Sequence, residues 1–211
     1  TYIIFFAYLT TYTLYANVSY FNPYLIDVIG IDPDASSVYS VIRSYGAMVI
    51  APVGGIMADK VFKSTSTWYI VAFAIAGVMW AVPFLFSSES NVTMVCIYSI
   101  LPSLVIFALY SVTYSILREL HIPAMVAGTA IGIGSVSGTL VDGVWPVLFG
   151  SWIDKHGNTG YTMIFTTLII VCIVGILNAL WAKRLDKQCK NGRTMNLGKL
   201  AASETTEAPV A

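Results

Sequence analysis

Charge is what this sequence has least of. Asp, Glu, Lys and Arg make up 10% of its 211 residues, with 11 acids balancing 11 bases, so the formal net charge is zero. Such a balance offers no basic surface for nucleic acid and no single-sign field to attract a charged partner. Histidine is limited to His121 and His156, and cysteine to Cys96, Cys172 and Cys189. No H-E-x-x-H or C-x-x-C pattern occurs and no cysteine spacing suggests a disulfide, so neither a metal site nor any other cofactor is expected. An intramembrane serine protease needs a base beside its nucleophile. Both histidines are expected in loops at opposite faces, no lysine falls inside an apolar run, and Gly134-Ser135-Val136-Ser137-Gly138 lacks the Gly-x-Ser-Gly spacing. A P-loop and the Gly-Tyr-Gly core of potassium-channel filters are also missing. The chain is not expected to be an enzyme.

What is abundant is apolar length. Hydrophobic residues reach 57% and the mean hydropathy is +0.76, values that belong to an integral membrane protein. About 20 apolar residues cross a bilayer as a helix. That ruler marks six spans, about 2–29, 37–58, 66–86, 92–117, 123–150 and 161–182, joined by short connections. The expected fold class is all-α, a transmembrane bundle over 1–184 with a polar, disordered cytoplasmic tail over 185–211. Thr1 is not a start methionine, and the chain enters an apolar run without a basic region or cleavage site. No signal peptide is expected, and the chain reads as a fragment or half of something longer.

The few charges are unevenly placed. If the turn at Asp59 is cytoplasmic, Lys60, Lys63, Arg118, Lys183, Arg184 and the basic residues of the tail share that side, while Lys155 alone faces outward. The positive-inside rule then puts both ends of this chain in the cytoplasm.

Inside the spans, polar groups are rare enough to be read one at a time. In the first, Tyr8, Tyr12, Tyr15, Ser19 and Asn22 form one helical stripe, and Thr10, Thr13, Asn17, Tyr20, Tyr24 and Asp27 form another nearly opposite. Such residues serve as interfacial belts and interhelical bonds, or one stripe lines a solute path. Asn22-Pro23 is expected to bend this helix. Arg43 lies about 12 Å below the outer end of the second span at the helical rise per residue. A base at that depth normally has a partner or faces water. Asp142 stands at a similar depth in the fifth span, and the two are expected either to pair or to hold a solute between them. The fifth span is also rich in glycine, with Gly128, Gly132, Gly134 and Gly138 at helix-packing spacing.

A short charged turn separates the second and third spans, Gly55-Ile56-Met57-Ala58-Asp59-Lys60-Val61-Phe62-Lys63-Ser64. It resembles the signature loop of the major facilitator superfamily, G-x-x-x-D-[RK]-x-G-[RK]-[RK], with Gly55, Asp59, Lys60 and Lys63 matching. Phe62 replaces the second glycine and Ser64 a base, as in the weaker copy carried by the C-terminal half of such transporters. A second instance, Gly150-Ser151-Trp152-Ile153-Asp154-Lys155-His156-Gly157, follows 95 residues later. The resemblance implies half of a facilitator-type fold, with two inverted three-helix repeats, about 1–95 and 96–184, and a missing N-terminal six-helix half as partner. It implies secondary active transport of a small solute by alternating access in the plasma (inner) membrane. Arg43, Tyr12, Tyr15, Asn22 and Asp142 are the expected solute contacts, and Gly55, Asp59, Lys60 and Lys63 the gating loop. Arg43 makes an organic anion the favoured solute. The alternative is a non-transporting six-helix module acting in assembly or sensing with a partner chain.

Overall fold

The computed structural model describes residues 2–86, 91–120 and 122–190. His121 and the sequence expectations for 191–211 lie outside them. The described chain is an all-α membrane protein. Its first rod is α1 (Tyr2–Asn17), a 3-10 turn (Val18–Tyr20) and α2 (Phe21–Asp27). The interruption falls one turn before Pro23 because the proline ring has no N–H to give and crowds the carbonyl four residues back, at Ser19. The bend predicted at Asn22-Pro23 is therefore displaced towards the N-terminus.

α3 (Pro33–Ile56) starts with Asp32 as N-cap, whose carboxylate accepts the Asp34 N–H at 3.0 Å, and with Pro33 in the first turn. A π-helical turn (Met57–Val61) continues α3, and the chain then reverses at Lys63, which has φ 51°. Ser64 caps α4 (Thr65–Ala81) by accepting the Thr67 N–H. The fourth rod, expected as one span, is divided into α5 (Val92–Tyr98), α6 (Ile100–Tyr110) and α7 (Ser115–Glu119). The first division, at Ser99, sits three residues before Pro102, within the turn that the proline ring crowds, as at Pro23.

α8 (Ala124–His156) and α9 (Asn158–Lys190) overrun their expected limits. The predicted loop 151–160 reduces to Gly157, whose φ of 54° suits a residue without Cβ. The second copy of the charged motif is thus helical, with Lys155 and His156 in the last turn of α8, where cations complement the helix dipole. α9 likewise runs on through 185–190, correcting the expectation that the disordered tail begins at Leu185.

Among the described residues, five helical segments are long and apolar enough to cross a membrane, 33–61, 65–85, 92–110, 125–156 and 158–188. The sixth expected span, α1 with α2, is the polar, interrupted one. It packs through α1 on α8 and α9, while α6 packs on α3 and α4, and α4 lies along α9. Between α4 and α9 the Phe73 ring rests on Gly175, where a Cβ would come within 2.5 Å of it. Gly54 lets α3 reach α6 so closely that a Cβ would lie 2.0 Å from the Ala108 carbonyl oxygen. The glycines of α8 play a smaller part than their spacing suggested. Gly128, Gly132 and Gly143 meet nothing within 4 Å, and only Gly134 and Gly138 touch a neighbour, the side chains of α1 and Tyr114.

Candidate solute face and charged turn

The two stripes of the first rod separate by environment. Thr10 and Thr13 are buried, and their hydroxyls donate to the carbonyls of Phe6 and Leu9 at 2.7 Å, while the Asn17 amide donates to the Thr13 carbonyl at 2.7 Å. Those polar groups are satisfied locally, as an apolar interior requires. Trp145 Nε1 donates to Thr13 Oγ1 at 3.2 Å and ties α8 to α1. Tyr8, Tyr12 and Tyr15 are half-buried and turn to the open side.

On that side, rings from two rods form one aromatic surface. Tyr8 stacks on Tyr12 with centroids 5.4 Å apart, and Tyr15 stacks on Tyr110 at 4.4 Å. The Tyr8 and Tyr110 hydroxyls are 3.3 Å apart, and the Tyr114 hydroxyl lies 3.3 Å from Ser135 Oγ. Gly138 makes room for this layer, because a Cβ there would sit 2.8 Å from the Tyr8 ring. Asp142 is exposed beside it and accepts the Tyr12 hydroxyl hydrogen at 2.9 Å. Tyr12, Tyr15 and Asp142 are thus brought together as expected site residues. Tyr8, Tyr110 and Tyr114 extend the surface, and the tyrosine spacing in α6 and its following turn was the available signal for the last two.

Arg43 and Asn22 belong elsewhere. Arg43 is 3% exposed, donating from Nη1 to Ser99 Oγ at 2.9 Å and from Nη2 to the Asn22 side-chain oxygen. It clasps α2 and the α5–α6 junction onto α3. The Arg118–Asp59 bridge is the one ion pair among the described residues, so Arg43 and Asp142 do not pair. Arg43 is about 15 Å from the start of α3, and Asp142 about 21 Å from the end of α8, at the helical rise per residue.

The charged turn forms the second cluster. Arg118 Nη2 meets Asp59 Oδ1 at 2.7 Å, with side chains 74% and 56% exposed. Next to it, Glu119 accepts from Ser64 Oγ at 2.8 Å and from the Ser66 N–H at 2.9 Å, placing a carboxylate on the N-terminus of α4. These groups line a cavity of about 280 Å³ that also includes Lys63 and Asp186. Gly55 has nothing within 4 Å of a Cβ, and neither Lys60 nor Lys63 forms an ion pair with a described residue. Arg118, expected only as one of the bases grouped on the side of this turn, and its neighbour Glu119 are the partners of the turn. Among the described residues no three His, Cys, Asp or Glu side chains converge as metal ligands.

A long-helix bundle with a charged turn between helices and one polar, aromatic open face has the form of a membrane transporter subdomain. The chain belongs to the Major Facilitator Superfamily, whose family model matches residues 4–204. It is similar to the inner membrane protein YihN of Escherichia coli (strain K12), with 23% identity over 185 residues. The match covers 85% of this chain and 44% of that protein, so the chain spans less than half the length of this curated relative. No solved structure matches.

Proposed function

We propose that this chain is the C-terminal six-helix half of a secondary transporter that moves a small solute across the plasma (inner) membrane by alternating access. The observation that carries the reading is the half-exposed tyrosine surface with Asp142, since polar groups in a membrane span are costly unless they face protein, water or a ligand. α3 and α8 are the least covered of the long helices, which supports a second bundle docking along them. The inverted repeat is supported by the packing. Exchanging α1 with α6, α3 with α8 and α4 with α9 carries the α1–α8 and α1–α9 contacts onto α6–α3 and α6–α4.

The leaning towards an organic anion rested on a free Arg43. Because its guanidinium is buried and donates to Asn22 and Ser99, an anion reaches it only if those bonds open. The geometry therefore favours Tyr12, Tyr15 and Asp142 as the solute contacts, with Arg43 and Asn22 as a structural clasp. Asp59 with Arg118 supplies the gating pair, and both ends of the chain lie in the cytoplasm.

The test uses the complete transporter with Thr139→Cys, an exposed position one helical turn from Asp142. In sealed vesicles of known orientation, a membrane-impermeant maleimide should label this cysteine from either side. Labelling confined to one side under all conditions would reject alternating access and favour the assembly or sensing module.

A further inference from the structure

Among the described residues, no cationic side chain stands on the open face around Asp142. Tyr12 gives the carboxylate one hydrogen bond, and the Tyr12 ring is itself in contact with the rings of Tyr8, Tyr15 and Tyr110, while Tyr114 lies against Tyr8. Within the spans the one arginine, Arg43, is buried in a different junction. The remaining described bases occur at helix ends, around the charged turn, in the last turn of α8 or near the end of α9. A carboxylate therefore stands in an apolar span beside a layer of tyrosine rings, whose faces are electronegative. Both features attract a cation and repel an anion, and the low dielectric of the span amplifies each.

We infer that this face is a subsite for a cationic group of the solute, an ammonium or other organic cation, with Asp142 as counter-ion and the Tyr8–Tyr12 stack as the aromatic wall. The assignment rests on the transport reading above and specifies the charge of what is carried. Tyr12 is a positioning residue as well as a wall, because its hydroxyl fixes one carboxylate oxygen and leaves the other for the solute. Gly138 is the packing condition for the site, since it admits the Tyr8 ring against α8.

The experiment again uses the complete transporter with Thr139→Cys. The rates of modification by trimethylammonium-ethyl methanethiosulfonate and by sulfonatoethyl methanethiosulfonate are compared, each normalised to its rate with free 2-mercaptoethanol. The cationic reagent should be favoured by roughly tenfold, the factor produced by about 1.4 kcal/mol of charge interaction. Asp142→Asn should abolish the preference and Asp142→Glu should retain it. Benzyltrimethylammonium should protect the cysteine, and benzoate should not. Equal or faster reaction with the anionic reagent, a preference untouched by Asp142→Asn, or no protection by benzyltrimethylammonium would overturn the inference. A cysteine reached from both sides without charge preference would defeat this assignment alone, whereas one reached from a single side would defeat the transport reading.

Discussion

Arg43 carries a buried charge with no carboxylate within 4 Å among the described residues, held by a serine hydroxyl and an asparagine oxygen. Removing a buried charge is different from removing what solvates it. Arg43→Met, close in length and apolar, should leave thermal stability in detergent unchanged or raised. Asn22→Ala should lower it by about 1.5–3 kcal/mol, the usual worth of a hydrogen bond to a charged group. A larger loss in Arg43→Met than in Asn22→Ala would show that the arginine has a partner this geometry does not provide. The charged turn shows a similar limit of reading by residue type. Phe62 stands at the family's glycine position, yet the left-handed residue is Lys63, because the π turn takes up one extra residue before the chain reverses.

At the scale of elements, prolines and glycines behave according to what surrounds them. Pro23 and Pro102 follow helix interruptions by about one turn, whereas Pro52 and Pro146 lie inside α3 and α8 without breaking them. Glycine spacing pointed to α8 as the helix packed through small residues, but the closest backbone approach belongs to Gly54 in α3. Gly54→Ala should force α3 from α6 and cost about 1–3 kcal/mol, the range for overpacking a tight contact. Gly128→Ala, placed where a Cβ meets nothing within 4 Å, should be neutral or slightly stabilising through helix propensity. Comparing unfolding midpoints of the two variants in one detergent tests the assignment of the packing seam, and a Gly128→Ala loss equal to that of Gly54→Ala would refute it.

For the whole molecule, the issue is how strongly the charged turn biases one arrangement of the proposed bundles. With side chains 74% and 56% exposed, the Arg118–Asp59 pair is screened by solvent and contributes no more than about 1 kcal/mol. That magnitude is too small to hold the fold together but can shift a two-state equilibrium by about fivefold. Asp59→Asn should leave the unfolding midpoint nearly unchanged while raising labelling of Thr139→Cys from the side of this turn by up to about fivefold. The exchange Asp59→Arg with Arg118→Asp should restore the original rate. A collapse of stability in Asp59→Asn would mean that the pair is structural and does not act as a gate.

Scarce charge and long apolar runs were enough to establish a helical membrane protein, because no other backbone arrangement of such segments satisfies its polar groups in lipid except a closed barrel. The doubled Gly-x-x-x-Asp-Lys pattern likewise contained the family, and periodicity alone separated the two polar stripes of the first rod. Sequence could not tell which stripe was open, since Thr10, Thr13 and Asn17 turn inward only once α8 and α9 cover them. Nor could it distinguish the clasp at Arg43 from the open carboxylate at Asp142, because depth along a helix says nothing about the direction in which a side chain points. Those outcomes depend on which helices pack together, and contacts between residues more than a hundred positions apart, such as Tyr12 with Asp142, exist only in the folded bundle.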